Sequence, residues 1–360
     1  MRVIISAGGT GGHIYPAMAV VNKIKDMEPN SDILYIGTHN RMEKDIVPNY
    51  DINYLPLKVT GFKRKLSLYN VHSVIYFFKA IKEAKKVIRD FKPDVVVGFG
   101  GYVTAPVLYA AHKLGVPTFV HEQNSVVGLT NRFLARFVNK VGVSFENTIT
   151  KFKPDQAVFT GNPLGEQALK VKAAKRTDYF DNNNPIVLLS MGSLGSGSVN
   201  KVIVELIPKL KDQPYNFIWV TGTNAYADYK NIKAPGNVLI TSFIKDMVKV
   251  IKISDVFITR AGAGALAEIG VLGIPSIIIP SPYVTNNHQV MNAKSLADAN
   301  AALVLQEDEL NSDKLIEMID EVLYEDTLRK RLIRNVKRTG VRNSATLIYE
   351  QLLKIRKKWY

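Results

Sequence analysis

The sequence predicts an α/β protein of two doubly wound domains, each a parallel sheet with helices on both faces. Three observations support this fold class. Short runs rich in valine and isoleucine alternate with helical patterns in both halves of the chain, as is typical of parallel sheets. Glycine-rich turns follow several of these runs directly. The chain has 360 residues, which is long enough for about two domains.

The composition is that of an ordinary globular protein, with 46% hydrophobic and 22% charged residues. No apolar run reaches 18 residues, and Met1-Arg2 leads straight into an apolar strand. Neither a membrane span nor an export signal is therefore predicted. The lack of cysteine excludes disulfides and thiolate metal sites, and it is consistent with a reducing cytoplasm.

The first predicted strand, residues 3–5, runs into a turn at residues 8–12 in which four of five positions are glycine, and His13 follows. Glycines let the backbone approach a ligand closely, and the N–H groups at a helix start attract negative charge. Pro16 predicts a helix that begins near it. A tight turn without a ligand is the alternative, but it would not need so many glycines.

The other predicted strands of the first half are followed by polar or glycine-rich segments. They lie at residues 33–36, 52–55, 95–98, 118–120 and 141–143. Residues 98–104 and 121–124 follow two of them and should face the same crevice as residues 8–13, because ligands bind at the carboxyl ends of parallel strands. Gly161-Asn162-Pro163 precedes a polar segment, so we place the boundary of the first domain, residues 1–162, near Asn162.

The second half, residues 163–340, repeats this plan. Its strands are predicted at residues 186–189, 217–220, 238–240, 256–258 and 277–279, with glycine-rich turns at residues 191–197 and 260–268. Gly262, Gly264 and Ala267 fit a dinucleotide fingerprint, but a single match of this kind is weak. The opening turn fails the fingerprint because Ile14 occupies its third glycine position. A dehydrogenase is therefore a minor alternative.

A nucleotide-sugar transferase explains several glycine turns, an acidic residue at Glu268 and a possible base at His13 more economically. The chain contains no Asp-x-Asp motif, so we do not expect a metal ion to hold the diphosphate. Helix N-termini and cations would stabilise the leaving group instead.

The net charge of +15 is concentrated in two segments. Residues 58–92 contain ten basic and two acidic residues, and residues 329–360 contain eleven basic and one acidic residue. Such segments suit anionic partners, either lipid phosphates or nucleic acid, although a solvated charged face is the alternative. A nucleic-acid-binding protein would leave the glycine turns without a purpose.

Residues 71–89 predict a basic amphipathic helix, since Val71, Val74, Ile75, Phe78, Ile81 and Ile88 recur at helical spacing beside a stripe of cations. Apolar side chains beside cations suit a membrane surface, where each basic residue contributes about 1 kcal/mol. An ordinary helix that packs on the core is the alternative. The predicted membrane-docking residues are Phe62, Lys63, Arg64, Leu66, Leu68, Ile75, Phe78 and Lys79.

Seven motifs occur in the order seen in one known family. They are the turn at residues 8–13, Gly-Gly-Tyr-Val at 100–103, His-Glu-Gln-Asn at 121–124, Gly-Asn-Pro at 161–163, Phe-Ile-Lys-Asp-Met at 243–247, residues 260–268, and His-Gln-x-x-Asn-Ala at 288–293. From residue 1 to at least residue 293, the chain resembles the bacterial glycosyltransferases of family 28 that complete the lipid-linked precursor of peptidoglycan.

The resemblance implies a GT-B fold, with two Rossmann-like domains facing each other across a cleft. It also implies inverting transfer of N-acetylglucosamine from UDP-N-acetylglucosamine to the 4-hydroxyl of the muramoyl sugar of undecaprenyl-linked lipid I, which gives lipid II. We expect a peripheral protein on the anionic inner leaflet at the cytoplasmic face, without cofactor, metal or nucleic acid. Residues 341–360 should form a helix that packs back on the first domain. A glycosyltransferase acting on diacylglycerol and a non-catalytic nucleotide-sugar-binding protein are the alternatives.

The resemblance also implies roles for single residues. Ile244 would contact the uracil, Glu268 the ribose, Ser193 the diphosphate, and Gln289 with Asn292 the sugar. Further substrate contacts are expected from Arg260, Ala263 and Leu266, and, on the first domain, from Thr10, Gly11, Gly12 and Asn124. Gly165 stands near the place of a frequent phosphate-binding arginine, so one contact is unassigned.

His13 is the leading candidate for the general base, because an imidazole that titrates near 6.5 can accept a proton at cytoplasmic pH. A histidine that closes the loop or donates to a phosphate is the alternative. Glu122 is the reserve candidate.

Overall fold

The computed structural model describes residues 1–61 and 68–357, with only the backbone described at residues 68 and 69. The chain forms two compact units: Met1–Glu166 with Asn343–Tyr360, and Gln167–Arg342. Four of the predicted docking residues, Phe62, Lys63, Arg64 and Leu66, lie outside the described residues, as does the side chain of Leu68. No helix in the described ranges is long and apolar enough to cross a bilayer.

Strands and helices alternate along residues 1–170. The strands are β1 (Arg2–Ser6), β2 (Asp32–Thr38), β3 (Asn53–Leu57), β4 (Val95–Gly98), β5 (Thr118–Glu122), β6 (Lys140–Val143) and β7 (Ala157–Phe159). The α-helices are α1 (Gly11–Met27), α2 (Glu43–Ile46), α3 (Leu68–Phe91), α4 (Thr104–Lys113), α5 (Leu129–Leu134) and α6 (Pro163–Lys170), and 3₁₀ helices lie at Val47–Tyr50 and Glu146–Lys151.

The same alternation continues to the end of the chain. The strands are β8 (Ile186–Ser190), β9 (Asn216–Val220), β10 (Val238–Thr241), β11 (Val256–Thr259), β12 (Ser276–Ile278) and β13 (Leu303–Val304). The α-helices are α7 (Gly197–Leu206), α8 (Tyr226–Tyr229), α9 (Met247–Ile251), α10 (Ala263–Leu272), α11 (His288–Asp298), α12 (Ser312–Tyr324), α13 (Asp326–Thr339) and α14 (Ser344–Ile355), and 3₁₀ helices lie at Arg176–Asp178, Ile207–Leu210 and Thr285–Asn287.

Each unit has one parallel sheet. The order is β3-β2-β1-β4-β5-β6-β7 in the first unit and β10-β9-β8-β11-β12-β13 in the second. The predicted pair of doubly wound domains is therefore confirmed. In each sheet the winding direction reverses between two central strands, β1 and β4 or β8 and β11, and ligands bind at the carboxyl ends beside such a reversal. In both units a glycine-rich turn follows these strands.

The prediction that the first helix begins near Pro16 is wrong, because α1 begins at Gly11. The N–H groups of His13 and Ile14 both donate to the carbonyl of Thr10, at 3.1 and 3.2 Å, so helical bonding already starts there. Pro16 lies buried inside the helix. The glycine turn and His13 are consequently part of the helix start itself.

The C-terminal helix α14 packs on α1 within the first unit. Ile348 and Leu352 are fully buried in the same apolar cluster as Ile14 and Ile24. The hydroxyl of Tyr349 donates to Glu28 at 2.8 Å, and Arg356 pairs with the same carboxylate at 3.3 Å.

Candidate functional site

In the first unit, the turns after β1 and β4 touch each other. The N–H of Gly8 donates to the carbonyl of Gly100 at 3.2 Å. Gly101 has a φ of +84°, and a Cβ placed on it would lie 2.3 Å from the Gly8 oxygen. A side chain at Gly101 would therefore force the two turns apart, so glycine is required there.

His13 lies at this junction. Its Nδ1 is 3.0 Å from the carbonyl oxygen of Gly8, and the hydroxyl of Thr10 is 3.4 Å from the same nitrogen. A carbonyl oxygen can only accept, so Nδ1 carries the hydrogen, and Nε2 is the basic nitrogen of the neutral ring. The ring lies against Gly100, where an added Cβ would be 2.9 Å from Cδ2 and 3.0 Å from Nε2.

Glu43, to which no sequence motif pointed, holds the backbone of this glycine turn by a hydrogen bond to Gly9. Its side chain is 0% exposed. Oε2 accepts from the N–H of Gly9 at 3.1 Å, while Oε1 accepts from the N–H and the hydroxyl of Thr38 at 3.0 and 2.6 Å. No local sequence pattern points to Glu43, because these contacts depend on β1 and β2 lying side by side.

Glu122, the reserve candidate, lies at the end of β5 with 2% of its surface exposed. It accepts from the N–H groups of Asn124 and Gly128, both at 3.0 Å, and from the side chain of Asn131 at 2.8 Å. Burial raises the pKa of Glu122, although these hydrogen bonds oppose the shift. Both oxygens are thus engaged in holding the turn that contains Asn124.

Its neighbour His121 is fully buried and bonds the carbonyl of Gly161 through Nε2 at 3.0 Å. Burial lowers the pKa of His121 to about 4. The side chain is therefore neutral at pH 7 and belongs to the core.

In the second unit, two helices begin at open glycine turns, α7 after β8 and α10 after β11. A Cβ placed on Gly192, Gly197 or Gly262 would meet no other atom within 4 Å. Among the described residues, no side chain caps either helix start, and the first turns contain no acidic residue. Their N–H groups can consequently serve an anion. Ser193 lies exposed in the first of these turns.

Arg260 is joined to the turn before α7. Its guanidinium pairs with Glu307 at 2.5 Å and donates to the hydroxyl of Ser196 at 2.6 Å and to the carbonyl of Ile279 at 3.1 Å. The side chains of Arg260 and Glu307 are only 11% and 8% exposed, and the hydroxyl of Ser198 also donates to Glu307. Glu307 is distant in sequence from every motif, so no sequence pattern pointed to it.

On α10, Leu266 is buried and Ala263 is partly exposed in the first turn. Glu268 is only partly covered, yet desolvation by its surroundings raises its pKa to about 7. Of the remaining predicted substrate contacts, Ile244 is half-buried between β10 and α9. The structure thus presents Glu268 and Ile244 at the surface of the second unit.

The two amide residues of α11 hold neighbouring turns. Gln289 accepts from the N–H of Ser281 at 2.9 Å. Asn292 is 0% exposed and donates to the carbonyl of Ala261 at 3.1 Å. Asn292 therefore supports the turn that starts α10.

The apolar stripe of α3 is exposed in its N-terminal half and buried in its C-terminal half. Ile81 and Ile88 are buried, whereas Val71, Val74, Ile75 and Phe78 are 42% to 64% exposed. Lys79, Lys82, Lys86 and Arg89 lie exposed along the same helix. An ordinary core-packing helix does not explain four exposed apolar side chains at one-face spacing.

Within residues 1–61 and 68–357, no group of three or more His, Cys, Asp or Glu side chains is arranged to hold a metal ion. In each unit the polar groups near the strand ends are backbone N–H groups, hydroxyls, side-chain amides and carboxylates, with the His13 imidazole in the first unit and the Arg260 guanidinium in the second.

Comparison with known proteins gives full-length similarity. The glycosyltransferase family 28 N-terminal domain matches residues 3–143, and the C-terminal domain of that family matches residues 186–348. A protein of Bacillus subtilis (strain 168), named UDP-N-acetylglucosamine--N-acetylmuramyl-(pentapeptide) pyrophosphoryl-undecaprenol N-acetylglucosamine transferase, is 43% identical over 99% of this chain and 100% of its own length. A protein of the same name from Bacillus pumilus is 44% identical over 99% of both chains. The crystal structure of Acinetobacter baumannii MurG superposes with a TM-score of 0.77 and 27% identity, covering 98% of this chain and 99% of that one.

Proposed function

Because the chain belongs to glycosyltransferase family 28, we propose that it transfers N-acetylglucosamine from UDP-N-acetylglucosamine to the 4-hydroxyl of the muramoyl sugar of lipid I. The product is lipid II, an intermediate of peptidoglycan synthesis. The GT-B fold expected from the resemblance is confirmed by the two parallel sheets and by the likeness to MurG. The observation that supports the proposal most strongly is the similarity to the transferases of Bacillus over 99% of the chain.

The first unit supplies the general base. Nε2 of His13 takes the proton of the 4-hydroxyl while that oxygen attacks C1 of N-acetylglucosamine. The bond between C1 and the phosphate oxygen breaks with inversion, and UDP leaves with the electron pair. Support comes from the hydrogen bond between Nδ1 and Gly8, which makes Nε2 the basic nitrogen. A positioned base of this kind contributes about 10²- to 10⁴-fold. Glu122 holds the adjacent turn.

The second unit binds the donor. The N–H groups at the starts of α7 and α10 offset the charge that develops on the diphosphate, assisted by Ser193 and the Arg260 guanidinium. The carboxylate of Glu268 accepts from the ribose hydroxyls. The other donor contacts are Ile244 to the uracil, Ala263 and Leu266 beside it, and Gln289 to the sugar. The resemblance implies a sugar contact for Asn292 too, but its side chain is 0% exposed and hydrogen bonded to Ala261, so we propose that it supports the sugar site through the turn that starts α10. Thr10, Gly11, Gly12 and Asn124 contribute from the first unit.

The exposed face of α3 docks on the anionic inner leaflet, at the cytoplasmic side of the membrane. Support comes from Ile75 and Phe78, which are 47% and 64% exposed beside the exposed cation Lys79. Apolar side chains next to cations gain burial and charge attraction at such a surface. Phe62, Lys63, Arg64 and Leu66 precede this helix in the sequence and Leu68 is its first residue, and they are proposed to dock with it. We expect the protein to be peripheral and to need neither a metal, a cofactor nor nucleic acid.

UDP release tests this proposal against a non-catalytic binding protein. UDP should form only when UDP-N-acetylglucosamine and lipid I are both present. Binding of UDP-N-acetylglucosamine with no UDP release in the presence of lipid I would contradict an enzymatic role.

A further inference from the structure

We infer that Glu43 is a positioning residue that fixes the orientation of His13 through the peptide group between Gly8 and Gly9. The inference rests on the proposed role of His13 as the base. Glu43 is the first residue of α2, the helix that follows β2, and it makes no contact with the reacting atoms.

The connection runs through a single rigid unit. The carbonyl of Gly8 and the N–H of Gly9 belong to one peptide group, which is planar and trans. The carboxylate of Glu43 accepts from the N–H at 3.1 Å, and Nδ1 of His13 donates to the carbonyl at 3.0 Å. Because the two ends of a peptide group cannot rotate independently, a shift at the carboxylate turns the carbonyl that orients the imidazole. Hydrogen bonds on both ends also polarise each other.

The surrounding backbone makes room for this carboxylate. A Cβ on Gly8 would lie 2.6 Å from Oε1 of Glu43, and a Cβ on Gly37 would lie 2.8 Å from its Cγ. Glycine at both positions therefore lets the side chain enter, where it is 0% exposed. Burying a carboxylate is costly unless it is well hydrogen bonded, and the three donors from Gly9 and Thr38 offset that cost here.

Two tyrosine hydroxyls hold the backbone next to the residues that contact Glu43. The hydroxyl of Tyr54 donates to the carbonyl of Thr38, and the hydroxyl of Tyr35 donates to the carbonyl of Ala7 at 3.0 Å. Burial, and next the charge of Glu43, raise the pKa of both tyrosines, which therefore remain protonated donors. Thr38 and Ala7 are thus held on either side of the carboxylate.

The two carboxylate oxygens of Glu43 accept from three donors, the N–H of Gly9 and the N–H and hydroxyl of Thr38. An amide in place of the carboxylate cannot accept from all three. In Glu43→Gln the side chain keeps one oxygen and gains an NH₂ group. The N–H groups of Gly9 and Thr38 can only donate, so the remaining oxygen accepts from one of them and the NH₂ group faces the other. The substitution therefore breaks the bridge that the carboxylate makes between Thr38 and the Gly8–Gly9 peptide group.

Glu166→Gln is a matched control. Glu166 lies in the same unit, and it too accepts from the N–H and the hydroxyl of one threonine, Thr346, at 2.8 and 2.9 Å. It also pairs with Lys23 at 2.8 Å. Loss of this carboxylate lowers stability in a similar way but leaves the turn of His13 untouched.

We expect Glu43→Gln to lower kcat by about 10- to 100-fold, as a small displacement of a catalytic group does. The Kd for UDP should stay within about twofold, because most of the proposed nucleotide contacts come from the second unit, which the substitution does not touch. Glu166→Gln should keep kcat within about threefold at a comparable loss in Tm. Equal kcat in the two variants would overturn the inference.

A double-mutant cycle with His13→Ala shows whether the loss of kcat in Glu43→Gln depends on the His13 imidazole or arises independently of it. If Glu43 acts through His13, Glu43→Gln should cost at most about twofold once the imidazole is gone. If the double variant lost kcat by the product of the two single losses, Glu43 would act independently of His13, and the inference would be overturned.

Hydrogen exchange of the Gly9 amide gives a readout that does not depend on turnover. It should be faster in Glu43→Gln than in the wild type and in Glu166→Gln, and unchanged exchange would overturn the inference. A wild type that transfers nothing to lipid I would contradict the proposed function instead, and the exchange rate would still decide whether Glu43 holds the turn.

Discussion

Glu43 and His13 are hydrogen bonded to opposite ends of the same peptide group, the one that joins Gly8 to Gly9. The imidazole lies at the start of α1, which follows β1, and the carboxylate lies at the start of α2, which follows β2. Parallel pairing of β1 with β2 brings the two helix starts together. The orientation of the proposed base is thus set by the sheet as well as by the glycine turn.

Removal of the imidazole tests the base directly. His13→Ala should bind UDP-N-acetylglucosamine normally but lose about 10²- to 10⁴-fold in kcat, because no group then takes the proton of the acceptor. Steady-state transfer and equilibrium binding measure the two effects. His112→Ala, an exposed histidine at the end of α4, is the control and should be fully active. Near-normal turnover in His13→Ala would remove this residue from the base role.

A methyl group at Gly100 should displace the His13 ring, since it would lie 2.9 to 3.0 Å from two ring atoms. We expect Gly100→Ala to lower kcat by at least about tenfold. Gly115→Ala is the control, because Gly115 also has a positive φ but no atom lies within 4 Å of its added Cβ. Both variants should lose about 1–2 kcal/mol of stability from backbone strain. A similar kcat for the two would contradict the proposed contact.

The raised pKa of Glu268 should make the stability of the protein depend on pH. Its pKa is raised from 4.5 to about 7 in the folded protein, so between these pH values the folded state binds more protons than the unfolded chain. Stability contributed by this carboxyl is therefore present at low pH and is lost as the pH rises toward 7. The Tm of Glu268→Gln minus that of the wild type should increase from pH 4.5 to pH 8, and a constant difference would contradict this.

The same substitution should weaken UDP binding by about tenfold, because an amide accepts ribose hydroxyls less strongly than a carboxylate. Isothermal titration at pH 8 measures the effect. Glu317→Gln, an exposed glutamate of α12 in the same unit, should bind UDP like the wild type. Equal affinities for the three proteins would exclude Glu268 from the ribose site.

Phe78→Ser should weaken binding to vesicles of phosphatidylglycerol and phosphatidylethanolamine by about 10- to 100-fold, because burial of a large apolar side chain is worth about 1.5–3 kcal/mol. Leu129→Ser is the matched control, since Leu129 on α5 is 67% exposed against 64% for Phe78. Lys79→Gln should weaken binding about fivefold at low salt, as about 1 kcal/mol per basic residue predicts. Cosedimentation that does not distinguish Phe78→Ser from Leu129→Ser would contradict docking through α3.

The sequence predicted the fold well because its signals are local. Valine- and isoleucine-rich runs mark most of the strands, glycine turns follow several of them, and the two sheets have the expected parallel strands. The start of α1 was predicted wrongly, since Pro16 suggested a first turn while the helix begins five residues earlier. Gly11 and Gly12 are helical in the structure, but glycine has a low helix propensity, so the sequence there did not indicate a helix.

Contacts between distant residues could not be predicted. Glu43 reaches Gly9 only because two strands pair, and Glu307 reaches Arg260 only because the turns of the second sheet converge. The spacing of Val71, Val74, Ile75 and Phe78 predicted one apolar face, but only the structure distinguishes these exposed residues from the buried Ile81 and Ile88. The roles given to the substrate-binding residues stay predictions.

The proposed activity is measured by transfer of labelled N-acetylglucosamine from UDP-N-acetylglucosamine to lipid I, with diacylglycerol as the control acceptor. We expect label in lipid II with the wild type, none in diacylglycerol, and almost none in either acceptor with His13→Ala. Label in diacylglycerol but not in lipid II, or equal transfer by the wild type and His13→Ala, would contradict this expectation.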